Sequence, residues 1–289
     1  MINFWTRRQP KGRAPATQGR PVPTLPDTTL LRGLLQTAAD EELLTRFQRV
    51  GRELKADGSF VTEADLAMQQ RVAALLKLHW PEYPLLGEEM TAEAQQALLD
   101  GEHPGLWCLD PLDGTSNFAA GIPFFAVSLA LLVGGKVVIG LVYDPIRREC
   151  FWAERGRGAW LDRQPLRAAP AGVGLEQSIG IVDFKRLSPE LAQWLAEKPP
   201  YRSQRSFGSV ALDWCWIAAG RGHVYLHGRQ RIWDYAAGSL ILDEAGGRAV
   251  TLDGEPVFRP DMAPRSAVAA LNAELFKEWT AYLQITTTG

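Results

Sequence analysis

Apolar residues recur at helical spacing from Leu30 to Val50 (Leu31, Leu34, Leu35, Ala38, Leu43 and Phe47), with Gly51 as a stop, which predicts an amphipathic helix. A second helix is predicted after Thr62. Thr62 and Asp65 have the spacing of a capping box, and Leu66, Val72, Leu75 and Leu76 would form its buried face. Pro81 and Pro84 interrupt the pattern, Leu85-Leu86 leads into Gly87-Glu88-Glu89, and Thr91 opens a short polar helix ending near Leu99. The pattern then changes to short apolar runs. Leu106–Leu109, Phe124–Val133, Val137–Tyr143 and Glu149–Glu154, separated by Gly134-Gly135 and Asp144-Pro145, predict an antiparallel meander. Residues 162–176 are rich in Pro and Gly and mark a boundary. Beyond them, strands at Ile179–Val182, Val224–Leu226, Arg248–Leu252 and Ala267–Ala270 alternate with helices at Pro189–Leu195, Ser209–Ala219, Tyr235–Glu244 and Ala273–Leu283. Such alternation predicts a layered α/β second half. We therefore expect three regions: a basic, Pro-rich flexible tail over 1–27, an α+β unit over 28–168, and an α/β unit over 169–289.

Composition narrows the class. The chain has 289 residues, 46% hydrophobic and 22% charged, which excludes a wholly disordered or fibrous protein. Lys plus Arg is 31 and Asp plus Glu is 33, a formal net charge of -2 that gives no global case for binding nucleic acid or an anionic membrane. Neither is expected as a partner. Cys108, Cys150 and Cys215 are scattered, which argues against a disulfide framework and a structural zinc site and for buried thiols in a reducing compartment. No apolar run is long enough to span a bilayer, and the basic start of the chain lacks the apolar stretch of a secretory signal. A cytoplasmic location is expected.

The chemistry concentrates in Asp110-Pro111-Leu112-Asp113-Gly114-Thr115-Ser116-Asn117-Phe118, which follows the apolar run Leu106–Leu109. Two carboxylates three residues apart, just past a strand, can face one point. Pro111 stiffens the turn, and Gly114 permits a tight backbone close to a ligand. Thr115 and Ser116 would open a helix whose free amides suit an anion. One loop thus offers oxygen ligands for a hard cation such as Mg²⁺ and amides for a phosphate. No P-loop, HExxH or GxGxxG pattern competes with this reading.

DPLDGTSNF resembles the DPxDGTxNF signature of the inositol monophosphatase superfamily, the Mg²⁺-dependent, lithium-sensitive phosphomonoesterases. Gly87-Glu88-Glu89 is similar to that family's GEE motif, VTEAD over 61–65 to its VTxxD motif, and WDYAAG over 233–238 to its WDxAAG motif, all in the family's order. The resemblance spans residues 30 to 285. It implies a layered α-β-α-β-α sandwich of the sugar phosphatase type, with an antiparallel N-terminal sheet and a smaller mixed C-terminal sheet. It also implies two or three Mg²⁺ ions, a homodimer, and the following roles. Glu88, Asp110 and the Leu112 carbonyl would hold the first metal, and Asp110, Asp113 and Asp234 the second. Glu88 would face a third, weaker one through water. Asp65 and Thr115 would position and help deprotonate the attacking water, and the amides of Gly114 and Thr115, with Ser116 beside them, would cradle the phosphate.

Substrate choice stays open in the sequence. KADGSFVTEAD over 55–65 departs from the form typical of inositol monophosphatases and looks more like that of bisphosphate nucleotidases and histidinol phosphatases, with Phe60 in place of Pro. Seven residues before Asp234, where inositol monophosphatases typically carry a Glu that grips sugar hydroxyls, this chain has His227, followed by Arg229 and Arg231. Arginines suit a second phosphate or carboxylate, but they are also ordinary surface residues. A polyol or sugar monophosphate, a 3′(2′),5′-bisphosphate nucleoside and fructose 1,6-bisphosphate therefore all remain candidates. Gly208 and Ser209, preceded by Arg202, Arg205 and Ser206, match a stretch that borders the family's substrate pocket. A phosphatase-fold protein whose main work is binding a regulatory or RNA-processing partner is the alternative from another class.

Overall fold

The computed structural model describes residues 25–47, 52–54, 60–167 and 172–286. The expected stop at Val50-Gly51, most of the N-terminal tail, the segment 55–59 and the expected boundary at 168/169 lie outside the described residues.

Helix α1 (Thr28–Ala39) starts earlier than its apolar pattern, because Asp27 caps it by accepting the Thr29 amide at 2.8 Å. It runs into a π-helical turn, Asp40–Leu44. Leu25 packs against the core, so the folded body reaches back into the stretch read as tail. A two-stranded antiparallel hairpin, β1 (Arg52–Leu54) and β2 (Phe60–Thr62), precedes α2 (Glu63–His79). The buried face of α2 is Ala64, Asp65, Met68, Val72 and Leu76. Leu66, expected on that face, is exposed: it falls about 100° from its neighbours Asp65 and Ala67 on the helix wheel and outside the stripe set by 64, 68, 72 and 76.

Strand β3 (Leu85–Gly87), helix α3 (Ala92–Asp100) and strand β4 (Leu106–Asp113) follow, with Thr91 capping α3 as expected. Strand β4 runs through the acidic motif instead of ending before it. A register shift between Asp110 and Asp113 accommodates Pro111, which cannot donate to the ladder. Helix α4 (Thr115–Ala120) is a single short turn, and strands β5 (Ala126–Val133), β6 (Lys136–Asp144), β7 (Glu149–Glu154), β8 (Gly158–Leu161) and β9 (Gln164–Leu166) complete a seven-stranded sheet in the order β3 to β9. The expected antiparallel meander is there, extended by two strands; β3 alone pairs in parallel, with β4.

The second half supplies β10 (Ile179–Asp183), α5 (Pro189–Glu197), β11 (Ser203–Arg205), α6 (Val210–Ala218), β12 (Val224–Gln230), α7 (Ile232–Ala245), β13 (Arg248–Val250), β14 (Arg265–Ala270) and α8 (Ala273–Tyr282). The five-stranded sheet has the order β11-β10-β12-β14-β13 and is mixed: β10 pairs in parallel with β11 and β12, while β14 is antiparallel to β12 and β13.

Alternation along the strands explains the layering. In β5, Val127, Leu129 and Leu131 face one apolar cluster with α1 and α2, while Ala126, Ala130 and Leu132 face the other. Both faces of the large sheet are therefore covered, α1 and α2 outside and α6 and α7 inside. The inner helices also pack against the small sheet, whose outer face carries α8, with α5 stacked on it through Trp194 and Tyr282 at 4.6 Å. This is the expected α-β-α-β-α order. Cys108, Cys150 and Cys215 are all free and buried. No helix among the described residues is long and apolar enough to cross a membrane.

Candidate active site

Four chain segments meet at one acidic centre. The turn after β3 brings Glu88, β4 brings Asp110 and Asp113, the first turn of α2 brings Asp65, and the first turn of α7 brings Asp234. The turn carrying Glu88 is braced on both sides. Its amide donates to the Leu109 carbonyl at 3.1 Å, and Gln95 donates to the carbonyls of Gly87 and Glu88 at 2.9 and 3.1 Å. Asp110 accepts the Leu112 amide at 3.0 Å. Asp234, at the third position of α7, reaches back to accept the Arg231 amide at 2.7 Å, so it closes the helix start while facing the centre.

The electrostatics follow from crowding acids away from water. Burial pushes Asp110 well above the usual carboxylate range, and the charges of Glu88, Asp113, Asp234 and Asp65 push it further. Asp234 is raised for the same reasons, burial first and then Asp113 and Glu88. Burial pushes Asp113 up to about 6, against hydrogen bonds that pull it down. Those bonds come from the start of α6: the Ser209 hydroxyl at 2.5 Å and the amides of Ala211 and Val210 at 2.7 and 3.2 Å. Cys108 is held as a thiol by burial and by the charges of Asp234 and Asp110, so it is no nucleophile.

The loop between the acids and α4 is shaped by Gly114, whose φ of 93° is open to glycine and strained for other residues. It places the Thr115 hydroxyl 3.3 Å from Asp65 Oδ1 and 3.0 Å from the Leu112 carbonyl. Asn117 ties the loop to the substrate side by donating to the carbonyls of Phe124 and Phe207 at 2.8 and 2.7 Å.

A cavity of about 380 Å³ joins these parts, lined by Glu88, Asp110, Leu112, Asp113, Gly114, Thr115, Ser116, Gly208, Ser209, His227, Arg229 and Asp234. The structure thus brings to one cavity every candidate site residue except Asp65, which sits behind Thr115. Three details differ from expectation. Ser209, expected on the substrate side, is fully buried, and its hydroxyl is donated to Asp113. Both ring nitrogens of His227 are engaged: Nδ1 accepts the Arg229 amide at 3.1 Å, and Nε2 lies 3.2 Å from Asp183 Oδ2. The Arg231 guanidinium is turned to the Met262 carbonyl at 3.0 Å.

Asp183, Lys185, Arg186 and Asp213 line the same cavity and escaped the sequence reading. Asp183 ends β10 and Arg186 lies three residues beyond it, at the carboxyl end where ligands of open α/β sheets gather, and that rule was the available signal. Asp213 had none. Its Oδ1 is buried without a partner, and burial together with the charges of Asp113 and Asp183 holds it well above the usual range.

The donor chemistry fits a hard divalent cation. Hydrogen bonds from neighbouring groups only partly offset the crowding of Asp110, Asp113 and Asp234, and a cation would relieve the repulsion that raises Asp110 and Asp234. Among the described residues no group of three or more His, Cys, Asp or Glu side chains is arranged to hold a metal ion by itself. Mg²⁺ does not need one, because it keeps waters and shares its sphere with substrate phosphate.

Comparison with known proteins agrees with the family that the sequence motifs resemble. The inositol monophosphatase family model matches residues 27–286. The chain is 34% identical over 228 residues to an inositol-1-monophosphatase of Caulobacter vibrioides, covering 76% of this chain and 86% of that one. It is 35% identical over 206 residues to the Nus factor SuhB of Pasteurella multocida, covering 70% and 75%. Its fold matches that of the Thermotoga maritima IMPase with a TM-score of 0.76 at 26% identity, covering 89% of this chain and 95% of that one.

Proposed function

From the premise that this chain belongs to the inositol monophosphatase family, and is a phosphatase, we propose that it is a Mg²⁺-dependent phosphomonoesterase acting on a small phosphorylated polyol or sugar through a metal-activated water. The observation that carries this reading is the convergence of Glu88, Asp110, Asp113 and Asp234 on one cavity beside the Asp65–Thr115 pair.

Glu88, Asp110, the Leu112 carbonyl and Asp113 with Asp234 would hold two Mg²⁺ ions, and Glu88 would face a third, weaker one through water. Bound there, the ions neutralise the phosphate dianion, acidify a water and stabilise the leaving alkoxide. The chain's own groups do the rest. Thr115 holds the attacking water at its hydroxyl, and Asp65 accepts the proton passed through that hydroxyl. The amides of Gly114 and Thr115 receive the phosphate oxygens, and Asn117 ties that loop to the carbonyls of Phe124 and Phe207. Phosphoryl transfer asks mainly for such positioning and charge stabilisation. Ser209 aims Asp113. The two sheets, over 85–166 and 179–270, support a division into an N-terminal metal-binding unit and a C-terminal substrate-side unit meeting at this cavity.

The test is phosphate release from inositol 1-phosphate, glycerol 2-phosphate, fructose 1,6-bisphosphate, adenosine 3′,5′-bisphosphate and histidinol phosphate, with Mg²⁺ and with EDTA. Release that requires Mg²⁺ is expected. No release from any ester in protein shown to bind Mg²⁺ would overturn the reading.

Likeness to a protein named Nus factor SuhB favours a second role, binding to a transcription or RNA-processing partner. The basic, Pro-rich residues 1–27 are the sequence feature that suits it. Deleting them separates the two: turnover persists, and partner capture is lost.

A further inference from the structure

The carboxylate cavity continues into a second cleft of about 520 Å³, and four residues line both: Glu88, Asp234, Arg186 and Arg229. The backbone explains why the two arginines share a rim. Strands β10 and β12 run parallel with Asp183 opposite His227. Beyond that pair, residues 184–186 form one 3₁₀ turn, and β12 shifts register between His227 and Gln230. At the shift, Gly228 comes so close to the turn that a methyl carbon built on it would lie 1.9 Å from the Arg186 carbonyl oxygen. Only glycine permits this approach, and it sets Arg186 beside the residue before Arg229.

Other arginines nearby are engaged. Arg231 donates to the Met262 carbonyl, Arg147 pairs with Asp144 at 2.9 Å, and Arg221 pairs with Glu149 at 2.6 Å. Among the described residues neither the Arg186 nor the Arg229 guanidinium has a hydrogen bond or an ion pair within 4 Å, although Asp183 feels the Arg186 charge and Glu88 and Asp234 line the same space. Two like charges brought to one rim repel each other, and an anion between them removes that repulsion. Guanidinium forks suit the oxygens of phosphate or carboxylate.

We propose that Arg186 and Arg229 form a second anion-binding subsite, next to the acidic centre, that takes the far phosphate or carboxylate of a doubly anionic phosphate ester. The proposal rests on the phosphomonoesterase reading and narrows its substrate class. It also replaces Arg231 by Arg186 as the partner of Arg229.

The test compares matched esters in the full-length protein with Mg²⁺: fructose 1,6-bisphosphate against fructose 1-phosphate, adenosine 3′,5′-bisphosphate against adenosine 3′-monophosphate, and 2-phosphoglycerate against glycerol 2-phosphate. Wild type should favour the doubly anionic member of at least one pair, and Arg186→Gln and Arg229→Gln should each reduce that kcat/KM ratio by about tenfold, the scale of one hydrogen bond to a charged group. The pair that shows the preference tells phosphate from carboxylate. Ratios near one in wild type, or ratios unmoved by both substitutions, would overturn the subsite. A binding arm separates this failure from that of the parent reading. In EDTA, calorimetric titration with fructose 1,6-bisphosphate, adenosine 3′,5′-bisphosphate and 2-phosphoglycerate should show binding of at least one of them weakened more than about tenfold in the Arg186→Gln/Arg229→Gln double variant. Equal binding of all three would overturn the subsite whatever the turnover assays return.

Discussion

His227 Nε2 stands 3.2 Å from Asp183 Oδ2 across two parallel strands, while its Nδ1 accepts the Arg229 amide. The accepted amide makes Nδ1 the bare nitrogen, so Nε2 carries the proton and gives it to Asp183. Burial alone would raise Asp183, but this bond, the Arg186 charge and the Lys185 amide outweigh it and hold the carboxyl below the usual range. Asp183 is thus an oriented, ionised acceptor at the cavity wall. At the position where inositol monophosphatases typically carry a Glu, this chain pairs a buried imidazole with a carboxylate on the neighbouring strand.

His227→Leu should raise KM about tenfold and leave kcat within about twofold, because it frees Asp183 to turn without touching the acidic centre. Steady-state kinetics decides. A fall in kcat at constant KM would remove this pair from substrate positioning.

Asp113→Asn should lower kcat/KM more than about 100-fold, exceeding the 10–100-fold typical of losing a ligand's supporting partner. The EDTA-treated variant should melt no lower than wild type, since one buried acid has been removed from a crowded cluster. Near-normal turnover in this variant would sink the metal assignment.

Ser209→Ala removes the hydroxyl that Asp113 accepts and the cap of α6, whose Leu212 amide lies 3.4 Å from the same oxygen. Stability should fall by about 1 kcal/mol. The Mg²⁺ concentration giving half-maximal rate should rise about tenfold, with activity recovered at high Mg²⁺. An unchanged Mg²⁺ dependence would mean that the hydroxyl does not aim Asp113.

Asp213→Asn tests the buried acid that the proposed chemistry does not use. Its folded-state pKa is raised, so the folded protein binds the proton more tightly than the unfolded chain does. Its contribution to stability therefore declines as pH rises from about 4, the unfolded value, through the folded one. The variant should melt about 2–4 °C above wild type at pH 8, the equivalent of roughly 1 kcal/mol, and the gain should shrink towards pH 4. Thermal melts at the two pH values check this. A gain that is equal at both would exclude titration of Asp213 as its source.

What the sequence determined by itself is local. The acids of the DPLDGT loop lie within four residues, and their spacing, with Gly114 and the helix start, states their chemistry without reference to the rest of the chain. Most helices and strands follow from apolar period and caps in the same way, as Thr91 shows. Elements with little apolar content of their own, such as β9 and β11, were missed because pairing partners sustain them. Only the tertiary structure decided what each side chain meets across the fold. Ser209 reaches Asp113 over 96 residues, His227 reaches Asp183 through strand register, and Arg186 joins Arg229 because Gly228 lets two backbones touch. Such contacts depend on close packing of segments distant in the chain, and no residue pattern within one segment encodes where another will lie.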